Sequence, residues 1–352
     1  MTQVQLPLAA QRLRAQLLTG PPASSVAGVT GRLLAVQAQD PRGARLAIRA
    51  RSAGLLAADV DRALTAERSH VVSWLNRGTL HLVAAEDYWW VHQLTTPQLL
   101  TGNTRRLAQE GVPPGDAERG VGVIHRCLAD GPLTRAQLTA RVAAAGVRTQ
   151  GQAMVHLLAL ATWRGLIVRG PMHGQEQAFV LVSDWLGAPP PPLEREVALG
   201  LLARRYLAGH GPADDRDLAK WAGLALRDAR QGLAAISRDL ADRDDGLASL
   251  AGQDRAHPVP VLRLLGAFDP LLLGWASRDL FLAPGGPIIT ANGLFRPFAL
   301  VRGQATAIWG ITRGKVMLAE TGPLSEPERA ALAAEAADIE RFLASVPPTA
   351  PS

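Results

Sequence analysis

Residues 117–182, AERGVGVIHRCLADGPLTRAQLTARVAAAGVRTQGQAMVHLLALATWRGLIVRGPMHGQEQAFVLV, hold the order of elements that decides the fold. A helix over AERGVGVIHRCLAD stops at Gly131-Pro132. Thr134 with Gln137 has the spacing of a capping box for RAQLTARVAAAG, and Thr149 with Gln152 has it for GQAMVHLLALATWRG. The runs LIVRG and AFVLV read as strands, and the polar stretch PMHGQEQ between them has the composition of a hairpin loop. Three short helices followed by a β-hairpin is the winged-helix order, a helix-turn-helix variant whose third helix usually approaches DNA.

Outward from that stretch the pattern recurs. GAPPPPLE at 187–194 reads as a stiff linker. After it come EREVALGLLARRYLAG, a second Gly-Pro pair at Gly211-Pro212, DLAKWAGL and LRDARQGLAAISRDL. Leu218 follows Gly211 by the same seven residues that separate Leu138 from Gly131, a weak internal repeat. Towards the N-terminus, helices are expected near 8–18, 25–39, 41–52 and 58–66, then a hairpin of VVSWLN, the turn Arg77-Gly78 and TLHLVA. Towards the C-terminus, VLRLLGAFDPLLLG, LFRPFALV and ATAIWGITRGKVML read as strands with tight turns at Arg302-Gly303 and Arg313-Gly314. A closing helix starts at Ser325, with Glu328 completing a capping box, and carries Leu332, Ala336, Ile339 and Leu343 on one face. The expected fold is mainly α with β-hairpins, an α+β arrangement of three tandem winged-helix units. They span residues 1–112, 113–190 and 191–250, and an α+β extension at 251–352 packs its final helix on the third unit.

Composition narrows the function. The chain of 352 residues is 47% hydrophobic, enough to bury several cores. It has no run of eighteen apolar residues and no signal-peptide start, so a cytoplasmic protein off the membrane is expected. The single cysteine, Cys127, has no internal disulfide partner and lies in the apolar run VIHRCLA. The net charge of +6 is unevenly spread: residues 1–112 carry +5 and 113–190 carry +2, so the excess lies in the first half and suits a polyanion. No Walker, HExxH, paired-cysteine, zinc-deaminase or nucleophile-elbow motif occurs, and no metal or other cofactor is expected. Only two lysines, Lys220 and Lys315, could supply a Schiff-base amine, which favours water as the nucleophile.

The most informative residues lie in VTGRLLAVQAQDPRGARLAIRARS at 29–52. On a helix from Ser25, the stripe Val26, Val29 and Leu33 projects to Gln37. Asp40-Pro41 fits an N-cap followed by proline at the first helical position. Helical residues two apart point away from each other, so Gln37 and Gln39 meet at one site only if the helix ends there. The next helix carries Arg42, Arg45 and Arg49 as one positive stripe.

VQAQDPRGARLAIRAR, WLNRGTLHLVAAEDYWW, FDPLLLGWASRD and GLFRPFALV, spread over nearly the whole chain, resemble the winged-helix DNA glycosylases of the AlkZ and YcaQ type. In that family a Gln-apolar-Gln or Gln-apolar-Asp motif carries catalysis, and Gln37, Ala38 and Gln39 match the first form. The resemblance implies three winged helices around a concave, basic DNA channel. It also implies hydrolytic release of N7-alkylated purines from double-stranded DNA, cross-linked guanines included, by a monomer with Gln37 and Gln39 as catalytic residues. Arg42, Arg45, Arg49, Arg77, Arg302, Arg313 and Lys315 are the expected DNA-binding cations, with Asp269 and Arg278 read as a turn-capping pair at a strand end. Two readings from other classes stay open: a winged-helix transcriptional regulator, and a resistance protein that sequesters a DNA-damaging metabolite without chemistry.

Overall fold

A computed structural model describes residues 5–173, 176–253, 261–282, 286–319 and 324–344. Part of the expected PMHGQEQ loop, at 174–175, lies outside the described residues. In chain order the elements are α1 (Gln5–Ala15), α2 (Val26–Leu33), β1 (Ala35–Gln37), α3 (Pro41–Arg49), α4 (Ala57–Thr65), β2 (His70–Trp74), β3 (Leu80–Ala84), α5 (Ala85–Thr95), α6 (Pro97–Gln109), α7 (Pro114–Leu128), α8 (Arg135–Ala144) and α9 (Ala153–Trp163). They continue with β4 (Ile167–His173), β5 (Glu176–Leu181), α10 (Val182–Leu186), α11 (Arg195–His210), α12 (Asp215–Ala222), α13 (Leu226–Ala235), β6 (Leu262–Leu265), β7 (Phe298–Val301), β8 (Gln304–Thr312), β9 (Lys315–Leu318) and α14 (Glu326–Leu343). None of the described helices is long and apolar enough to cross a membrane. The chain divides into two compact units, 1–60 with 199–352, and 61–198. The segment 1–112 is therefore shared between them.

In the 61–198 unit, β3, β2, β4 and β5 lie side by side, all antiparallel. β2 and β3 pair from His70 with Ala84 to Trp74 with Leu80. Their turn holds Arg77 and Gly78 at φ 57° and 71°, so the expected Arg-Gly hairpin forms at this site. Behind the sheet, α7, α8 and α9 enclose a core that includes Ile124, Leu138, Val142, Leu157, Leu158 and Phe179. Leu133, between α7 and α8, makes a bridge to Phe179 of β5. The capping box at Thr134 and Gln137 is present in both directions. The one at Thr149 and Gln152 is not: α9 starts at Ala153 without a side-chain cap, and the Gln152 N–H donates instead to Glu110, 3.0 Å away. A carboxylate from the end of α6 thus takes the place of the local cap.

In the other unit, α11, α12 and α13 repeat the arrangement. Asp214 and Asp217 form a capping box three residues after Gly211, as Thr134 does after Gly131. Leu218 is as deeply buried as Leu138, and Ala213 bridges Ala248 as Leu133 bridges Phe179. Among the described residues that follow the helices, Leu240 bridges Leu250 and no long hairpin forms. The C-terminal sheet runs β6-β7-β8-β9, and both of its two-residue loops put Arg-Gly at positive φ, Arg302-Gly303 at 52° and 77° and Arg313-Gly314 at 50° and 78°. This is the turn whose twist matches that of paired strands. Leu332, Ile339 and Phe342 of α14 are buried. The helix lies on β6, β9 and α3. Arg49 of α3 pairs with Glu335 and Asp338 of this helix.

His81 of β3 is buried, and burial together with the nearby Arg77 charge pushes its pKa down to about 3 from 6.5. The folded value lies below the unfolded one, so this stabilisation is complete above pH 6.5 and is lost as the pH falls towards 3, by about 1.4 kcal/mol per pH unit. In urea unfolding at pH 7 and pH 5, His81→Gln is expected to lose about 2 kcal/mol less between the two than the parent chain.

Candidate active site

The segment between α2 and α3 is built by two caps and one strained residue. Ser25 caps α2, accepting from the Gly28 N–H at 3.0 Å, and Val26, Val29 and Leu33 form its buried stripe. The helix does not run on to residue 39 as expected. Leu34 turns at φ 64°, ψ −54°, a left-handed turn region costly for a leucine, and the chain becomes extended over Ala35–Gln37. This changes the geometry of the glutamines. On a helix they would point apart; here the helix has ended, and the two lie at the end of a strand and in the bend after it. Gln37 ends β1 with only 8% of its surface exposed, and Gln39 is exposed in the bend that follows. The expected Asp40-Pro41 start is present: Asp40 accepts from the Arg42 N–H at 3.1 Å, and Pro41 occupies the first turn of α3.

α3 is held from below by close backbone packing. A Cβ on Gly43 would lie 2.3 Å from the Ala267 carbonyl oxygen, and one on Gly266 would lie 3.0 Å from Gly43 Cα. Only two facing glycines allow the helix and the 266–270 loop to meet there. About two turns further, just past the end of α3, Arg51 and Asp269, both fully buried, pair through both guanidinium Nη atoms at 2.9 and 2.8 Å. Arg51 also donates to Gln16 Oε1 at 2.8 Å, and Asp269 accepts from the Leu271 N–H at 2.9 Å. The expected partnership of Asp269 with Arg278 is replaced by this pair. Arg278 instead donates to the Leu272 carbonyl at 2.9 Å and lies over the Phe295 ring. The capping role of Asp269 is present, at the start of the short 3-10 turn Pro270–Leu272.

The cations expected to meet DNA separate into two groups. Arg42 is exposed beside Gln39, and the half-buried Arg45 donates to the Pro41 carbonyl at 2.8 Å. Arg49 is a correction: it is buried, bonded to Glu335 at 2.7 Å and Asp338 at 2.8 Å of α14 and to the Leu264 carbonyl. Its spacing puts it on the face of Arg42, but α14 covers that end of the helix. The stripe thus has two members. Arg302, Arg313 and Lys315 sit at hairpin turns; Arg302 pairs with Glu328 at 2.6 Å and Lys315 with Glu340 at 2.7 Å, both exposed. Arg77 is half-buried in the other unit beside His81. Sequence reasoning missed Arg51 and Gln16, because Arg51 stands two residues from Arg49, off the arginine stripe. Among the described residues no group of three His, Cys, Asp or Glu side chains is arranged to hold a metal ion.

Removing one member of a fully buried pair leaves the other charge without compensation, which costs about 3–5 kcal/mol. Arg51→Met and Asp269→Asn are each expected to destabilise the chain by about that amount, and combining Arg51→Met with Asp269→Leu to cost less than Arg51→Met alone. Chemical denaturation of the series checks this; equal or additive losses would show that the pair does not act as a unit.

Comparison with known proteins agrees with this architecture. The family described as DNA glycosylase AlkZ-like matches residues 30–342. A curated relative, the interstrand DNA cross-link repair glycosylase of Streptomyces sahachiroi, is 27% identical over 94% of this chain and 94% of its own. The solved structure of Streptomyces sahachiroi DNA glycosylase AlkZ superimposes with a TM-score of 0.78 at 25% identity, covering 96% of each chain. With a match that takes in the QAQ segment, α3 and the FDP loop together, the chain belongs to the AlkZ-like DNA glycosylases.

Proposed function

We propose that this glycosylase hydrolyses the N-glycosidic bond of N7-alkylated purines in duplex DNA, interstrand cross-linked guanines included, with Gln37 and Gln39 as its catalytic residues. The observation that carries the reading is the break of α2 at Leu34 into the short strand 35–37, with one amide at its buried end and the next exposed two residues on, in the bend before α3. The cross-link repair activity named for the Streptomyces sahachiroi relative supports the substrate class.

Neutral amides suffice because the substrate is activated. A carboxamide has no pKa near neutrality and neither takes nor gives a proton at working pH. N7 alkylation makes the purine cationic, and the base leaves as a neutral molecule with no proton supplied. The remaining demands are to orient water at C1′ and to offset positive charge growing on the sugar. An amide oxygen does either, and one preorganised polar group is worth about 3–4 kcal/mol of barrier. A cross-linked guanine is tethered to the opposite strand and cannot rotate into a deep pocket, so the exposure of Gln39 suits it.

In this reading the segments 113–190 and 191–250 are winged-helix units. The matched capping boxes at Thr134 and Asp214 and the matched bridges at Leu133 and Ala213 support them. Arg42, Arg45 and Arg77 hold phosphates, as do the hairpin cations Arg302, Arg313 and Lys315. Arg302 and Lys315 are themselves exposed in their pairs with α14, so each keeps an outer face open to a phosphate. Burial of α9 weighs against the regulator, since its apolar side chains belong to the core and offer few groups for base edges.

In single-turnover assays on an N7-methylguanine duplex, Gln37→Ala and Gln39→Ala are each expected to slow base release by ~100-fold with DNA affinity little changed. Unchanged release in both variants would remove the assignment. Tight binding of one operator sequence with no base released would turn the reading to the regulator.

A further inference from the structure

The FDP loop contains a residue that the fold does not need in its observed conformation. Phe268 has φ 56°, a left-handed backbone that costs a bulky residue roughly 1–2 kcal/mol and that glycine would adopt without strain. Its neighbours explain how it is held there. Ala267 is pressed against Gly43 of α3, and Asp269 is locked by Arg51. Both neighbours are buried while Phe268 itself stays half-exposed. A loop clamped on both sides that leaves an aromatic residue part-exposed is a place for a ligand to bind.

The surroundings specify the ligand's chemistry. Phe268 lies against Phe295, with ring centroids 5.6 Å apart and planes at 44°. The Phe295 ring is also covered by the Arg278 guanidinium at 5.2 Å, so its electron-rich face already has a cation. Next to it Leu294 is 55% exposed and Arg296 is exposed. The contact between Gly43 and Ala267 places this patch one helical turn from the bend that carries Gln39. Aromatic faces bordered by arginines fit a planar base on a phosphate backbone.

We infer that Phe268 is a specificity-determining residue, whose ring stacks on the cationic N7-alkylpurine and favours it over a neutral purine. The inference rests on the glycosylase reading above and adds to it how the lesion is told from normal guanine. Alkylation at N7 puts a positive charge on the base, and a π face attracts that charge where a merely apolar surface does not. The two amides act on C1′ and the ring acts on the base, so binding preference and chemistry belong to different residues.

The test compares affinities of the full-length chain for two duplexes that differ at one position. One carries 2′-fluoro-N7-methylguanine, cationic and slow to hydrolyse; the other carries 7-deazaguanine, neutral and of similar shape. Phe268→Leu keeps apolar bulk and removes the π face, and Phe268→Trp keeps a larger one. The parent chain is expected to prefer the cationic duplex; Leu is expected to reduce that preference by about 3- to 30-fold, and Trp to retain it. Affinity for the 7-deazaguanine duplex should stay unchanged in all three, which a misfolded loop would not allow. Thermal unfolding confirms the fold, and Phe295→Leu, which removes the backing ring, is expected to act in the same direction as Phe268→Leu. A preference unchanged in Phe268→Leu overturns the inference. Base release by the parent chain from ordinary N7-methylguanine DNA is measured in parallel: its absence defeats the glycosylase reading, whereas release with unchanged preference defeats only the role of Phe268.

Discussion

The buried ion pair of Arg51 and Asp269 is the constraint on which the site depends. Two charges taken fully out of water are costly, and such a pair is tolerated only when the geometry is good and the remaining donors and acceptors are satisfied. Here the Arg51 Nη atoms reach both Asp269 oxygens, the Ala47 carbonyl and Gln16, its Nε alone being buried without a partner, and Asp269 also caps the turn that follows it. The pair ties α1, the end of α3 and the FDP loop into one body. With Gly43 and Gly266 in contact about two turns away, the N-terminus of α3 has little freedom. The bend with Gln39 is the segment directly before it.

For the catalytic roles proposed for Gln37 and Gln39, rigidity matters because an amide has only its position to offer. A general base with a suitable pKa tolerates some looseness, whereas an oriented dipole loses its effect if it must reorganise during the reaction. The strained Leu34 and the cap at Asp40 fix the segment at its two ends. Strain of this kind persists when packing over-determines the backbone, and α2 packs its buried stripe immediately before it.

Much of this was legible in the residues. The Arg-Gly turns, the Thr134 capping box and the Asp40-Pro41 helix start are local codes, and local codes survive folding. What failed was decided by distant chain. The Thr149 cap was displaced by Glu110, some forty residues away in sequence. Arg49 shares a helical face with Arg42, but α14, nearly three hundred residues on, covers it. The helix expected through residue 39 breaks at Leu34, where nothing in the side chain announces a left-handed turn. The glutamine pair was identified from its motif, yet the short strand that ends at Gln37 lay in a stretch that sequence periodicity had read as helical.

The most direct test of the central claim is a crystal structure of this glycosylase on duplex DNA containing a cationic 1′-aza-deoxyribose abasic analogue, with the attacking water resolved. One water is expected beneath the 1′ position, within hydrogen-bond distance of a Gln37 or Gln39 amide oxygen, with the second amide against that water or the sugar ring. A water held by other side chains, with both amides turned away from the sugar, would contradict it.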